Sequence, residues 1–186
     1  MKKVIISLLA ILAVTTLSAQ NKGDMYAGGS FGLGTTSLIS GGESTTALSF
    51  EIAPEFGYFV TNNFKIGASI SYGVESGNPA IHSFQIMPNL AYYVRICDKF
   101  YYTPGVELGF VCGVSDGISM PGFGVGLSLG SFEFRPTEKF GLSVNLLSID
   151  YMLMTYRQRD LNLKLNVNGI NFRLGTTPSV GLKYYF

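Results

Sequence analysis

His82 is the only histidine in this chain, in the stretch "PAIHSFQ", and Ser83 follows it directly. A base beside a hydroxyl invites a nucleophilic reading. Adjacent residues of an extended chain, however, point to opposite faces. No third triad member and no set of oxyanion donors accompanies the pair. No catalytic residue is therefore assigned, and the chain is read as a non-enzyme. The two cysteines, Cys97 and Cys112, could pair in an oxidising compartment. Cys97 falls in a turn and Cys112 on the strand that follows. At about 3.3 Å per residue they stand some 40 Å apart, where a disulfide needs Cα atoms within about 7 Å. Two free thiols are expected. One histidine and two distant cysteines make no metal site, and no cofactor is implied. The glycine run "GFGVG" at 122–126 lacks the helix that a dinucleotide fingerprint requires.

Charge is what remains, and its placement is ordered. From residue 47 the chain alternates strictly: Leu48, Phe50, Ile52, Pro54, Phe56, Tyr58 and Val60 share one parity. After "TNN", Phe64, Ile66, Ala68, Ile70, Tyr72 and Val74 continue the apolar face. Alternation with a period of two is the mark of strands with one greasy side. Glu51, Glu55, Lys65, Glu75, Arg95, Glu107, Arg173 and Lys183 all take the opposite parity. Glu133, Arg135 and Asp150 join them if bulges stand near Gly130-Ser131 and Leu146-Leu147. A charge on the lipid face of a barrel at mid-bilayer costs about 2 to 4 kcal/mol. The apolar parity therefore faces lipid and the charged one faces a lumen. These eleven residues, nearly balanced in sign, are expected to form a paired structural network filling the interior, because eight strands enclose little more than their own side chains.

The hairpins repeat. "TNN", "CDK" and "TEK" are read as three-residue turns, the first with Val60 paired to Phe64, and each is followed at once by phenylalanine: Phe64, Phe100 and Phe140. With Tyr184 and Phe186 these should form an outward aromatic rim at the end that carries both termini. Longer connections near 37–46, 76–82, 114–121 and 155–168 lie at the other end. The last of these, "TYRQRDLNLKLNVNG", suggests a projecting hairpin closed by Asn168-Gly169. The reading is an all-β fold, a transmembrane antiparallel up-and-down β-barrel of eight strands, or of ten if 158–175 adds a full hairpin. Without its first 19 residues the 186-residue chain allows about 21 residues per strand and connection, above the 9 to 11 that cross a bilayer.

Composition agrees. Charged residues are only 13% of the chain and hydrophobic ones 47%, against about 25% charged in soluble domains. Residues 1–19 are a separate object: Lys2-Lys3, an apolar run from Val4 to Val14, and small residues that place signal cleavage after Ala19. The barrel domain is then 20–186. Without Lys2 and Lys3 the 13 bases fall to 11 against 12 acids, which provides no electrostatic case for nucleic acid.

The segments "PEFGYFVTNNFKIGASISYG", "MPNLAYYVRICDKFYYTPGVELGFVCG" and "FRPTEKFGLSVNLLSIDY", with the aromatic C-terminus, resemble the small porin-like outer membrane β-barrel proteins of Bacteroidota. That resemblance implies location in the outer membrane of a Gram-negative bacterium and both termini in the periplasm. It implies a terminal aromatic read by the barrel-assembly machinery, and no shared catalytic motif. Lipid and lipopolysaccharide are the implied partners; a surface partner is not specified. Function is expected to be structural or surface-interacting through the loops, with a narrow channel for small solutes or ions as the alternative. In-strand prolines (Pro54, Pro88, Pro104, Pro178) also look like the family and are expected to be absorbed by bends or bulges.

Overall fold

The computed structural model describes residues 21–40, 43–158 and 163–186. The expected signal segment and its cleavage point after Ala19 lie outside the described residues, as do residues 41–42 and 159–162. The described residues form eleven strands: β1 (Met25–Ser40), β2 (Glu43–Thr61), β3 (Phe64–Glu75), β4 (Ile81–Tyr92), β5 (Val94–Cys97), β6 (Phe100–Tyr102), β7 (Gly105–Ser115), β8 (Ile118–Ser128), β9 (Ser131–Phe134), β10 (Phe140–Gln158) and β11 (Leu163–Tyr185). All pairings are antiparallel. The order β1-β2-β3-β4-β7-β8-β10-β11 returns to β1, so the sheet closes on itself through eight strands. Among the described residues no helix is long and apolar enough to cross a membrane.

The three short strands are continuations. β5 prolongs β4 past Tyr93, β6 leads into β7 across Thr103-Pro104, and β9 prolongs β8 past Leu129-Gly130. Backbone bonds stitch each break: Tyr92 N–H donates to Pro104 at 2.9 Å, Thr103 N–H to Ser131 at 2.8 Å, and Leu129 and Gly130 both to Leu147 at 3.0 Å. The last of these lies beside the register shift between Asn145 and Leu147. Both irregularities sit where Glu133, Arg135 and Asp150 require a change of face. Pro54 and Pro88 behave differently from expectation. The register of β2 on β3 is identical on both sides of Pro54, and that of β4 on β7 on both sides of Pro88; only the local pairs are missing. Each proline opens a gap toward one neighbour and stays paired to the other, Pro54 to Gly29 and Pro88 to Ala68. Pro104 stands in a strand break, and the Pro178 side chain lies outside the described residues.

The turns are tighter than the spacing predicts. Thr61 pairs with Phe64 and Cys97 with Phe100, each beside a register shift, leaving two-residue turns Asn62-Asn63 and Asp98-Lys99. Val60 therefore does not pair with Phe64. Asn63 and Lys99 take positive φ of 71° and 69°, which lets a two-residue turn follow the strand twist and moves the extra residue into the bulge. The third connection is longer, covering 135–139. At the opposite end the expected loop at 114–121 is a two-residue turn at Asp116-Gly117 (φ 32° and 77°), with Ser115 paired to Ile118. Asn168-Gly169 is not a turn either: it pairs with Leu153 and Met152 inside β11, and β10 and β11 run together from Gln158↔Leu163. The ring has eight strands rather than ten.

The outward face is rich in large apolar side chains: Phe31, Phe50, Ile70, Phe84, Phe110, Leu153 and Leu182 are all 45% or more exposed. A continuous apolar exterior of this size belongs in contact with lipid. Gly117, with nothing near its missing Cβ, is demanded only by backbone angle. Gly117→Val should lower unfolding stability by about 1–3 kcal/mol, read as a shifted urea midpoint of the refolded protein, without altering its heat-modifiable gel mobility.

Candidate functional site

The ring encloses two different interiors. At the end bearing the termini, Tyr26, Phe59, Tyr93, Tyr101 and Tyr185 point inward and pack together, none more than 8% exposed. Phe59 meets Tyr93 edge-on at 5.0 Å and Tyr26 lies 5.2 Å from Tyr185. Glu133 stands among them, fully buried. Its carboxylate accepts from Lys183 Nζ at 2.8 Å, Arg135 Nε at 2.9 Å, Tyr185 Oη at 2.5 Å and Tyr93 Oη at 3.1 Å. Four donors satisfy a charge that could not be buried unpaired. Beside this hub Lys65 donates to Glu55 at 2.6 Å and to Tyr26 Oη at 3.0 Å. The cations also lie over rings, Arg135 at 3.3 Å from the Tyr185 centroid and Lys183 at 5.0 Å from that of Tyr26. Cation–π attraction is strongest in such desolvated settings.

Above this plug the lumen is not filled. A cavity of about 940 Å³ rests on Tyr93, Lys65 and Lys183 and extends to Glu75, Ile81 and Tyr156 near the loop end. Small side chains leave this space, because serines and glycines occupy most inward positions of β1, β3 and β8. The expected charges divide accordingly. Glu55, Lys65, Glu133, Arg135 and Lys183 form the two linked clusters of the plug. Glu51, Glu75, Glu107 and Asp150 line the cavity above it. Glu107 and Asp150 converge over Gly126, their oxygens 2.8 and 3.0 Å from where its Cβ would stand. Arg95 does not enter the network, being paired with Asp98 of its own exposed turn. Arg173 stands opposite Ser148 in the ladder, and its side chain lies outside the described residues.

Outside the plug a second aromatic set is exposed. Phe140, Tyr184 and Phe186 form a chain of ring contacts at 5.3 and 6.5 Å, which Phe56 joins at 6.5 Å from Phe186. Phe100 stacks on Phe132 at 5.7 Å, and Phe64 is half-buried. The inner aromatics were missed by reading charges alone; their signal is the aromatic residues on the polar parity within a few positions of each turn. His82 is in β4, not in a loop. Its Nδ1 lies 2.8 Å from Tyr72 Oη on the outer face, while Ser83 lines the cavity. Cys97 and Cys112 are both free.

A closed antiparallel sheet with a lipid-facing exterior and a polar, partly plugged interior defines a membrane-spanning β-barrel. The comparisons agree. Residues 4–185 match the model of the outer membrane protein beta-barrel domain, and the chain belongs to that family. Its location is accordingly the outer membrane of a Gram-negative bacterium. Among solved structures it is similar to Neisserial surface protein A (15% identity, 89% of this chain and 100% of that one, TM-score 0.53). It is also similar to the outer membrane protein OprG from Pseudomonas aeruginosa (12% identity, 91% and 98%, TM-score 0.52). At such identities the likeness shows the fold alone. No curated protein sequence matches.

Removing one partner from a buried ion pair typically costs about 3–5 kcal/mol, while replacing both by apolar groups is often neutral. Glu133→Ala should therefore destabilise the barrel by about that much, measured as its urea midpoint in detergent. The double variant Glu55→Leu/Lys65→Met should stay within about 1 kcal/mol of the parent and be more stable than Glu55→Leu alone.

Proposed function

We propose that this protein is a non-enzymatic outer membrane barrel that acts at its loop end, in a structural or surface-interacting role, and does not conduct through its length. The observation that supports this reading is the plug. Glu133 with its four donors and the five inward aromatics pack together, all buried, at the terminal end, and an eight-stranded ring is only just wide enough for its own side chains. In this reading residues 1–19 are the export signal, cleaved after Ala19, both termini face the periplasm, and the loops meet solvent and lipopolysaccharide. The Bacteroidota-like features of the sequence belong to the same proposal. A narrow channel for small solutes or ions is the second reading, favoured by the cavity of about 940 Å³. Planar-bilayer recordings of the refolded protein decide between them. Steady conductance in the parent protein would favour the channel and refute the plugged barrel; only brief, irregular openings are expected.

Phe186 closes the ring by exchanging backbone bonds with Met25 at 3.0 and 3.3 Å, and its side chain is 61% exposed at the outer rim. We assign it, with Phe64, Phe100, Phe140 and Tyr184, to the periplasmic interface and to recognition by the assembly machinery. Deleting Phe186 should reduce the heat-modifiable, membrane-inserted fraction several-fold in outer membrane preparations; unchanged insertion would remove it from that role.

A further inference from the structure

The cavity above the plug has two unlike walls. β1, β2 and β3 contribute small hydroxyl and acidic side chains, among them Ser49, Ser69 and Ser71. The sector across the ring, β4-β7-β8-β10, carries polar side chains too, among them Gln85, Glu107 and Asp150, but it alone adds methionine: Met87, Met120, Met152 and Met154 all line the space, with Val111. These four account for most of the six methionines in the chain, and they stand on the parity that elsewhere carries serine, glycine and charge. The ladder groups them. Met152 pairs with Gly124, Gly124 with Gly109, and Gly109 lies beside Met87. Met87 Cε and Met152 Cγ lean over Gly124, 3.7 and 3.9 Å from the place of its missing Cβ. Met120 likewise covers Gly113.

A methionine cluster on an otherwise polar lumen wall does nothing for lipid contact and nothing for the charge network below it. Methionine is the side chain that best adapts its shape to an apolar guest. A space of about 940 Å³ also falls within the size range of small-molecule sites, about 300–1,000 Å³. Tyr93, Lys65 and Lys183 of the plug line its lower end, so on the plugged reading proposed above a guest entering from the loop end stays above them. We infer that the blind lumen is a binding site for a small amphiphile, a molecule with an unbranched hydrocarbon chain and a hydrogen-bonding head. The chain lies on the methionine wall and the head on the serine wall opposite.

The protein carries its own probe. In lipid nanodiscs, with the methionine methyl groups labelled with carbon-13, titration with 1-decanol should shift the Met87, Met120, Met152 and Met154 resonances saturably. Met25, on β1 outside the cavity, should not follow that curve. Glucose, as polar control, should leave all five unmoved. Gly124 is the place to block the site, because the atoms nearest a Cβ there belong to the Val111, Met87 and Met152 side chains, the first at 3.3 Å. Gly124→Leu should weaken the saturable shift at least tenfold while keeping heat-modifiable mobility. If Gly124→Leu fails to fold, Met87→Gln with Met152→Gln tests the same wall. Shifts that grow linearly with decanol and include Met25 equally would show partition into the bilayer only, and would overturn the proposal. So would saturable shifts unaffected by either variant.

Discussion

Every backbone N–H and C=O that faces hydrocarbon must find a partner within the protein, and this constraint shapes the whole molecule. A flat sheet would leave two edges unpaired; closing β11 onto both β1 and β10 removes them. The same requirement explains how prolines are tolerated. Pro54 and Pro88 each lose the ladder on one side and keep it on the other, so no strand is detached and the register carries across the gap. Where the chain cannot continue as a strand, at Tyr93, Thr103-Pro104 and Leu129-Gly130, cross-strand backbone bonds bridge the interruption. The closing ladder between β1 and β11 is the shortest of the long-strand pairings, from Tyr26↔Tyr185 to Gly32↔Ser179. Its lower end carries the aromatic packing of Tyr26 on Tyr185, which secures the two chain ends together.

Closure creates a second constraint, because whatever does not face lipid must share a narrow interior. Buried charges there are not an independent source of stability, since desolvation offsets much of their attraction. What the Glu133 and Glu55 clusters provide is mutual satisfaction. Each anion is met by ammonium or guanidinium and by phenol hydroxyls, and each cation by a carboxylate and a ring face. The tyrosines serve both demands, supplying hydroxyl donors to the carboxylates and π-faces to the cations while filling volume.

Much of this was legible in the sequence, for a physical reason: lipid punishes a misplaced charge, so parity is enforced residue by residue. Even the two irregularities near Gly130 and Leu146 could be inferred, because Glu133, Arg135 and Asp150 would otherwise face hydrocarbon. Turn registers were not legible. Asn63 and Lys99 absorb the extra residue by adopting positive φ, which no hydrophobic pattern records. Asn168-Gly169 has the sequence of a turn but lies in a strand, where pairing with Met152 and Leu153 overrides local preference. Arg95 was misplaced because parity names a face and not a partner, and Asp98 is three residues away. The methionine wall was invisible because methionine breaks the alternation without announcing a charge.

The interior is therefore graded along its length by side-chain size. Near the termini, tyrosines and long charged residues meet across the ring. Toward the loops the same inward positions carry Ser49, Ser71, Gly73, Gly113 and Gly122, and the ring stays hollow although its strand number has not changed. An eight-stranded barrel is commonly treated as solid because its width admits little else than side chains. Here width sets only the upper limit, and residue choice decides whether that limit is reached. Gly124 makes the point locally. Its missing Cβ lets side chains from β4 and β10 close over β8, so one absent atom in the wall is taken up by methionine from its neighbours.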